Sequence, residues 1–213
     1  MNTKLISISK PIIEGINTAE DLIGYCARVS NPSNQFNTET APRLLKYLIN
    51  HKHWSPYEMV SFTVEIKTSR AIAAQILRHR SFSFQEFSQR YSSIVGMEKI
   101  EWRLQGKTNR QVGEEKVELP VELMDEFQWV QDKCEDLYND LIKEGIAKEC
   151  ARMVLPLNTS TTLYMSGTVR SWIHYLELRT KEDTQKEHRI IAEEIKKIFI
   201  KEFPITSCAL NWI

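Results

Sequence analysis

Hydrophobic and polar residues alternate most clearly between residues 60 and 67, and this alternation predicts a β-strand. The apolar positions are Val60, Phe62, Val64 and Ile66. A period of two directs these side chains to one face, which we expect to lie in a core. Shorter apolar and β-branched runs predict two further strands, at 4–8 and at 159–165.

Apolar residues three and four positions apart predict helices along most of the remaining chain. The longest stripe consists of Leu119, Leu123, Phe127, Val130, Cys134, Leu137 and Leu141. It predicts an amphipathic helix that ends near Gly145. Shorter helices are expected at 18–29, 38–50, 148–154, 168–178 and 184–202, and after a capping Ser69. The polar stretch 104–118 is expected to be a loop, and the whole pattern favours a single α+β domain over residues 1–213.

Composition narrows the class of protein. The 213 residues carry 28 basic and 28 acidic side chains, so the net charge is zero. Proteins that bind nucleic acid non-specifically are usually basic overall, and this function is therefore disfavoured. The four cysteines form no Cys-x-x-Cys pair, and the N-terminus lacks the features of a signal peptide. No apolar stretch has the length of a membrane span. We therefore expect a soluble cytoplasmic protein with reduced thiols.

Phosphate-binding glycine loops are missing from the chain. None of the seven glycines belongs to Gly-x-Gly-x-x-Gly, and no Gly-Lys-Ser/Thr closes a P-loop, because Gly106-Lys107-Thr108 is preceded by Glu101 where that motif has its first glycine. A bound nucleotide would therefore have to be held by side chains.

One segment, residues 78–91, combines arginines, serines and aromatic residues. Between residues 70 and 90 there are four arginines and one acidic residue. Arginine binds phosphate at two points, and aromatic rings offer stacking faces, so an anion or cofactor site is one interpretation. A solvated basic turn whose phenylalanines enter the core is another, and a nucleic-acid patch is a third.

The order of residues in this segment resembles the flavin-dependent thymidylate synthases, the ThyX family. Their signature is Arg-His-Arg, seven residues, then Ser, and Arg78-His79-Arg80…Ser88 reproduces it. Further matches to the longer form of the motif are Ser83, Glu86, Arg90 and Tyr91. The segments around His53-x-Ser55-Pro56, Arg152-x-x-Leu155-Pro156 and Arg170-x-x-x-His174-x-x-x-x-Arg179 also resemble the family's binding segments.

The resemblance implies reductive methylation of dUMP to dTMP. Methylenetetrahydrofolate would supply the carbon, FAD would carry hydride, NADPH would reduce the flavin, and no enzyme cysteine would attack the pyrimidine. It also implies a twisted, mainly antiparallel β-sheet flanked by helices, assembled as a homotetramer with active sites between subunits. No membrane or nucleic-acid partner is expected.

The resemblance carries ligand-binding roles over to particular residues. For dUMP they are Gln75, Arg78, Glu86, Ser88, Arg90, Arg152 and Arg179. For FAD they are His53, Ser55, Arg78, His79, Arg80, Glu86, Arg170 and His174. Arg179 is the expected catalytic residue, because a guanidinium against the pyrimidine stabilises its N3-deprotonated form. Without the resemblance, Arg179 would be a helix C-terminal residue that complements the dipole.

Several residues have ordinary interpretations beside these roles. Ser88 could be a helix cap, and no Gly-x-Ser-x-Gly elbow marks it as a nucleophile. His51 and His53, on one strand face, could suggest a metal pair, but no third ligand is in view, so no metal is expected. His188 is expected to be solvated on a charged helix face.

Two positions depart from the family pattern, in which asparagine is common at both. Gln85 keeps an amide with a longer reach, and Thr168 weakens the case for a side-chain contact to flavin. Two alternative functions follow. One is flavin-dependent dUMP modification that gives another one-carbon product, such as a hydroxymethyl group, and the other is polyanion binding without turnover.

Overall fold

The computed structural model describes residues 2–93 and 96–213 of the chain. Its strands are β1 (Asn2–Ile8), β2 (Ser61–Ser69), β3 (Ser83–Glu86), β4 (Arg103–Gln105), β5 (Gly113–Lys116) and β6 (Ser160–Thr168). Its helices are α1 (Ala19–Ala27), α2 (Ala41–Asn50), α3 (Arg70–Ile76), α4 (Val121–Lys143), α5 (Lys148–Ala151), α6 (Val169–Arg179), α7 (Lys186–Glu202) and α8 (Pro204–Ala209).

The main sheet has four strands in the order β1-β2-β6-β3, and every neighbouring pair is antiparallel. The alternation that predicted β2 is confirmed: Phe62, Val64 and Ile66 are at most 2% exposed, whereas Thr63 and Glu65 on the other face are partly exposed. The antiparallel sheet flanked by helices agrees with the expected α+β class.

Helices cover the apolar face of this sheet. The indole of Trp172 in α6 stacks on Phe62 with ring centroids 4.5 Å apart, and its Nε1 donates to the Phe62 carbonyl at 3.2 Å. Phe199 in α7 and Phe203 pack on the same ring. The apolar face of the sheet and these helices therefore share one core, to which α8, a helix that the sequence pattern did not predict, is adjacent.

The stretch 104–118 is not the simple loop that its polarity predicted. It forms most of an antiparallel hairpin, in which Arg103 of β4 pairs with Lys116 of β5. A Cβ on Gly113 would lie 2.8 Å from the Cβ of Arg103, and one on Gly106 would lie 2.5 Å from the Asn109 carbonyl oxygen. The two glycines are therefore required by close approach inside the hairpin.

Helix α4 confirms the long predicted helix but not the burial of its apolar stripe. Leu123, Val130 and Leu137 are 48%, 44% and 49% exposed, while Gln131 and Tyr138 face the rest of the chain. In the part of the chain that the structure describes, no helix has both the length and the apolar character needed to cross a bilayer. We call Leu123, Val130 and Leu137 the exposed stripe of α4, whereas Phe127, which lies between them, packs edge-on against Trp102 with ring centroids 4.9 Å apart.

The 78–91 segment follows α3, whose start is capped as predicted: the Ser69 hydroxyl accepts from the Ile72 amide at 3.4 Å. The Phe82 ring then enters the core, where a Cβ on Gly167 would lie 2.4 Å from it. Residues 83–86 continue as the edge strand β3, which the sequence pattern did not predict. The basic segment is therefore fixed at the sheet edge by a buried ring and by backbone pairing.

Candidate active site

The Arg179 side chain, at the end of α6, is fixed by His79. Its Nε donates to His79 Nε2 at 2.9 Å. Because a guanidinium can only donate, His79 accepts through Nε2 and carries its proton on Nδ1. Burial, followed by the nearby Arg179 charge, lowers the pKa of His79 to about 4. His79 is thus a neutral acceptor that leaves the terminal nitrogens of Arg179 available.

Behind His79 lies a buried pair, Tyr175 and His188. The Tyr175 hydroxyl is 3.0 Å from His188 Nε2, and the His79 ring packs edge-on against Tyr175 with centroids 4.9 Å apart. Burial, followed by the nearby Arg179 charge, lowers the pKa of His188 to about 3, and burial raises the pKa of Tyr175. No described residue hydrogen-bonds to His188 Nδ1.

The expectation that His188 is solvated is therefore wrong. His188 is fully buried and belongs to the core stripe of α7 with Ile191, Ile195 and Phe199. Charged residues on both sides of it in the sequence concealed this spacing, which is that of one helix face.

Gln75 completes a group of predicted residues that we call the Arg179 group: Gln75, His79 and Arg179. Its Nε2 donates to Gln185 Oε1 at 2.6 Å, and Gln185 in turn donates to Glu187 at 2.9 Å. The ends of α3 and α6 and the start of α7 thus meet at this group. Arg78 and Arg80 flank it in the sequence and are exposed to solvent.

Ser88, Arg90 and Arg152 form a second set, the Ser88 group. The Ser88 carbonyl accepts from the amides of Tyr91 and Ser92 at 3.1 and 3.0 Å, so it closes a turn. Because residues 87–93 form turns and loop, the helix-cap interpretation of Ser88 is wrong. Lys148 in α5 donates to the Tyr91 carbonyl at 2.9 Å, and Arg152 follows one helical turn later. Ser88 and Arg90 are exposed.

Glu86, at the end of β3, is half-buried between two donors. Arg70 Nη1 lies 2.7 Å from its Oε1, and the Thr161 hydroxyl donates to the same oxygen at 3.0 Å. Its side chain is 19% exposed. The carboxylate is therefore held in place from the two neighbouring elements, α3 and β6.

The predicted flavin residues around α6 form a third set. Arg170 makes an ion pair with Glu58, and the His174 ring lies edge-on to Trp54 with centroids 5.0 Å apart. The Ser171 hydroxyl donates to the Ser81 carbonyl at 3.2 Å, which connects α6 to the loop after Arg80. His53 and Ser55 precede Glu58 by a few residues in the sequence, and both are exposed to solvent. Guanidinium, imidazole and indole groups thus lie on one side of α6.

His51 and His53 do not lie on a strand, contrary to the expectation. His51 is the C-terminal cap of α2 and stacks on Tyr47 with centroids 4.0 Å apart, and His53 lies in irregular chain just after the turn at 51–52. Among residues 2–93 and 96–213, no group of three or more His, Cys, Asp or Glu side chains could hold a metal ion. Thr168 caps α6, since its hydroxyl accepts from the Ser171 amide at 3.3 Å.

The cavity of about 220 Å³ beside α3 is lined by none of the residues predicted to bind dUMP or FAD. Its walls include Thr68, Ile72, Arg103, Asn158 and Gln185. Of the described residues that line it, Gln185 hydrogen-bonds to Gln75 of the Arg179 group. The predicted residues instead lie on exposed or partly buried positions outside this cavity.

Sequence reasoning missed the residues that support the predicted ones. Arg70 holds Glu86, Glu58 pairs with Arg170, and Gln185 pairs with Gln75. Each partner is distant in sequence, so no local motif could identify it. Tyr175 and His188 could have been identified from the sequence, because their spacing places them on the buried faces of α6 and α7.

Comparison with known proteins identifies relatives over the whole chain. The family model Thy1, described as thymidylate synthase complementing protein, matches residues 12–205. A probable flavin-dependent thymidylate synthase of Paramecium bursaria Chlorella virus 1 is 54% identical over 220 residues and covers 100% of both chains. A flavin-dependent thymidylate synthase of Synechocystis is 50% identical over 227 residues, again with 100% of both chains covered.

A solved structure has the same fold. The UMP/dUMP methylase PolB from Streptomyces cacaoi, crystallised with 5-Br dUMP, superposes with a TM-score of 0.81. The match covers 100% of this chain and 95% of that chain at 24% sequence identity. At that identity, the likeness concerns the fold alone.

The buried His188 predicts a specific loss of stability in acid. Unfolded His188 binds a proton below about pH 6.5, while the folded group does so only near pH 3, so stability falls as the pH decreases through this window. His188→Leu should remove up to about 1.4 kcal/mol of that fall for each pH unit between about 6.5 and 4. The free energy of unfolding, measured by urea denaturation at several pH values, shows this difference in pH dependence.

The matched control is His51→Leu at an exposed position, which should keep the wild-type pH slope. Loss of the His188 partner of Tyr175 lowers stability at every pH and does not affect the slope. An unchanged slope in His188→Leu would contradict the assignment of a buried neutral imidazole.

Proposed function

Since the chain belongs to the Thy1 family, the flavin-dependent thymidylate synthases, we propose that it converts dUMP to dTMP by reductive methylation. Methylenetetrahydrofolate supplies the carbon and NADPH supplies the reducing equivalents. The observation that carries the proposal is the 12–205 family match together with the Arg179–His79 hydrogen bond, because the match covers the motif and the bond orients its expected catalytic residue. All four cysteines are free, as is usual in a reducing compartment, and we place the enzyme in the cytoplasm.

Arg179 acts on the pyrimidine in this proposal. Its Nε is engaged by His79, so its terminal nitrogens can meet the uracil edge. A fixed positive charge there favours the N3-deprotonated ring, which makes C5 electron-rich without attack by a cysteine. His79 contributes by remaining neutral, because a protonated imidazole would repel the guanidinium and could not accept its hydrogen bond.

The remaining dUMP contacts are assigned to two surfaces. Gln75 and Arg78 belong with the Arg179 group, whereas Ser88, Arg90 and Arg152 form the Ser88 group, with Glu86 at the sheet edge. Two-point hydrogen bonding by Arg90 and Arg152 suits the phosphate, and the Ser88 hydroxyl adds a donor. With no glycine loop in the chain, these side chains take the role that backbone amides have in other nucleotide sites.

The side chains around α6 fit a flavin dinucleotide. The guanidinium of Arg170 is 43% exposed and suits a phosphate, and His174 beside Trp54 offers aromatic surface. His53, Ser55, Arg78, His79, Arg80 and Glu86 are the other residues that we assign to FAD. When bound, FAD carries hydride from NADPH to the nucleotide. The protein's own residues bind the two ligands and orient them.

We assign the assembled enzyme as a homotetramer with active sites between subunits. Leu123, Val130 and Leu137 of the exposed stripe are separated by the partly buried Phe127 and Cys134, so that apolar residues recur along α4 at alternating steps of four and three. That spacing is typical of helices that pack against another helix. A second copy of the chain supplies such a partner and brings an Arg179 group next to a Ser88 group.

The proposed reaction is tested by incubating purified protein with dUMP, methylenetetrahydrofolate and NADPH, and by identifying the nucleotide product by mass spectrometry. We expect dTMP, formed by a yellow protein and lost when FAD is removed. A hydroxymethyl product would favour the alternative flavin-dependent modification. A protein that takes up no FAD and binds DNA with steep salt dependence would contradict the proposal.

Arg179→Ala should retain bound flavin and lose turnover. We expect kcat to fall at least about 100-fold, because one preorganised charge at the developing anion is removed. Flavin absorbance and steady-state kinetics measure the two effects. Near-normal turnover would contradict the assignment of Arg179.

Val130→Glu should dissociate the tetramer, because it places a carboxylate in the middle of the α4 stripe. Analytical ultracentrifugation should show smaller species and a parallel loss of dTMP formation. Asn139→Glu, at an exposed position of the same helix away from the stripe, is the matched control and should remain tetrameric. A tetrameric Val130→Glu protein would exclude this stripe as the interface.

A further inference from the structure

Glu86 lies on the core-facing side of the sheet, where a charged side chain needs a partner. In the β3–β6 pair it is directly opposite Leu163, and opposed residues project to the same face. Leu163 is fully buried, and Thr161, two residues away on β6, is 4% exposed. A carboxylate at such an edge is stable only when it is paired and hydrogen-bonded.

Arg70 supplies the opposite charge from a rigid position. It is the first residue of α3, directly after β2, and its amide donates to the Thr159 carbonyl at 2.9 Å. The Ser69 cap fixes the same turn. On the other side, the Phe87 amide donates to the Thr162 carbonyl at 2.8 Å, which holds the chain just after Glu86. Both members of the pair are therefore anchored by backbone hydrogen bonds.

The two donors converge on one oxygen of Glu86. Arg70 Nη1 and the Thr161 hydroxyl both contact Oε1, at 2.7 and 3.0 Å. No described residue hydrogen-bonds to the second oxygen, Oε2. A carboxylate held in this way has a fixed plane and one oxygen with free lone pairs, so it can accept a hydrogen bond from a ligand without reorganising.

We propose that Arg70 is a positioning residue for the dUMP site, which acts by fixing Glu86 so that its Oε2 accepts a hydrogen bond from a hydroxyl or N–H group of the nucleotide. Thr161 assists from β6. The inference rests on the proposed function, because dUMP is one of the two ligands, with FAD, that Glu86 is assigned to bind. Arg70 itself stands outside the residues that the signature motif identifies.

A purely structural ion pair makes a different prediction from a positioning pair. A partly exposed pair contributes little to stability, and its loss would leave substrate binding unchanged. A positioning pair affects ligand affinity, and its effect disappears once the carboxylate is gone. Measurements of dUMP affinity therefore distinguish the two possibilities, whereas measurements of unfolding stability do not.

The experiment measures dUMP affinity of the FAD-loaded protein, through the change in flavin absorbance, and the steady-state constants for dTMP formation. Arg70→Leu should weaken dUMP binding and raise KM about 10-fold or more, with kcat within about threefold of wild type. Arg70→Lys should recover most of the affinity, because it restores the cation. Thr161→Val should have a smaller effect, about threefold.

The decisive comparison is Arg70→Leu in a Glu86→Gln background, where it should cause no further loss of affinity. Arg189→Leu is the matched control, since its side chain is 27% exposed, against 30% for Arg70, and its partner Glu193 lies on α7 outside the assigned site. It should bind dUMP like the wild type. If Arg70→Leu fails to fold, Arg70→Lys and Thr161→Val still carry the test, because both keep most of the packing.

Failure of this inference differs from failure of the proposed function. A wild-type protein whose flavin spectrum does not respond to dUMP overturns both. A responsive wild type with an equally responsive Arg70→Leu variant overturns the positioning role alone. Losses from Arg70→Leu and Glu86→Gln that simply add would also overturn it, because the two residues would then act independently.

Discussion

The Arg179 guanidinium owes its position to the hydrogen bond that it donates to His79. This bond exists only while His79 is neutral, and burial beside Arg179, with the uncharged Tyr175 and His188 behind the ring, keeps it so. A cation whose orientation is fixed in this way can stabilise an anionic pyrimidine without reorganising. The supporting pair lies in the core, so the proposed chemistry depends on the same packing that joins α6 and α7.

Within the described residues, no hydrogen bond or ion pair joins the Arg179 group to the Ser88 group. The Arg179 group lies where α3, α6 and α7 meet, whereas the Ser88 group follows the edge strand beside α5. A second copy of the chain that covers Ser88, Arg90 and the exposed stripe of α4 would explain why these residues are exposed in the single chain. Phosphate binding and pyrimidine activation then both depend on assembly, because the packing of helices between subunits determines which arginines share a site.

Local patterns predicted the fold where a residue's neighbours in sequence determine its environment. The alternation in β2, the cap at Ser69 and the spacing of α4 each identified the correct element. They failed where contacts between residues distant in sequence determine the structure. Strand β3 forms because it pairs with β6, and His188 is buried because α7 packs on α6. The site followed the same rule, since the motif identified Arg78–Arg80 and Ser88, while Arg70 and Gln185 emerged only from tertiary contacts.

Subunit complementation tests the shared site most directly. Arg179→Ala and Arg90→Ala proteins, each inactive alone, are mixed, dissociated and reassembled, and dTMP formation is measured. If Arg179 and Arg90 of one site come from different subunits, random reassembly restores about a quarter of the wild-type activity, because some sites receive both intact groups. A mixture as inactive as its components would contradict the account and place both arginines of each site in one chain.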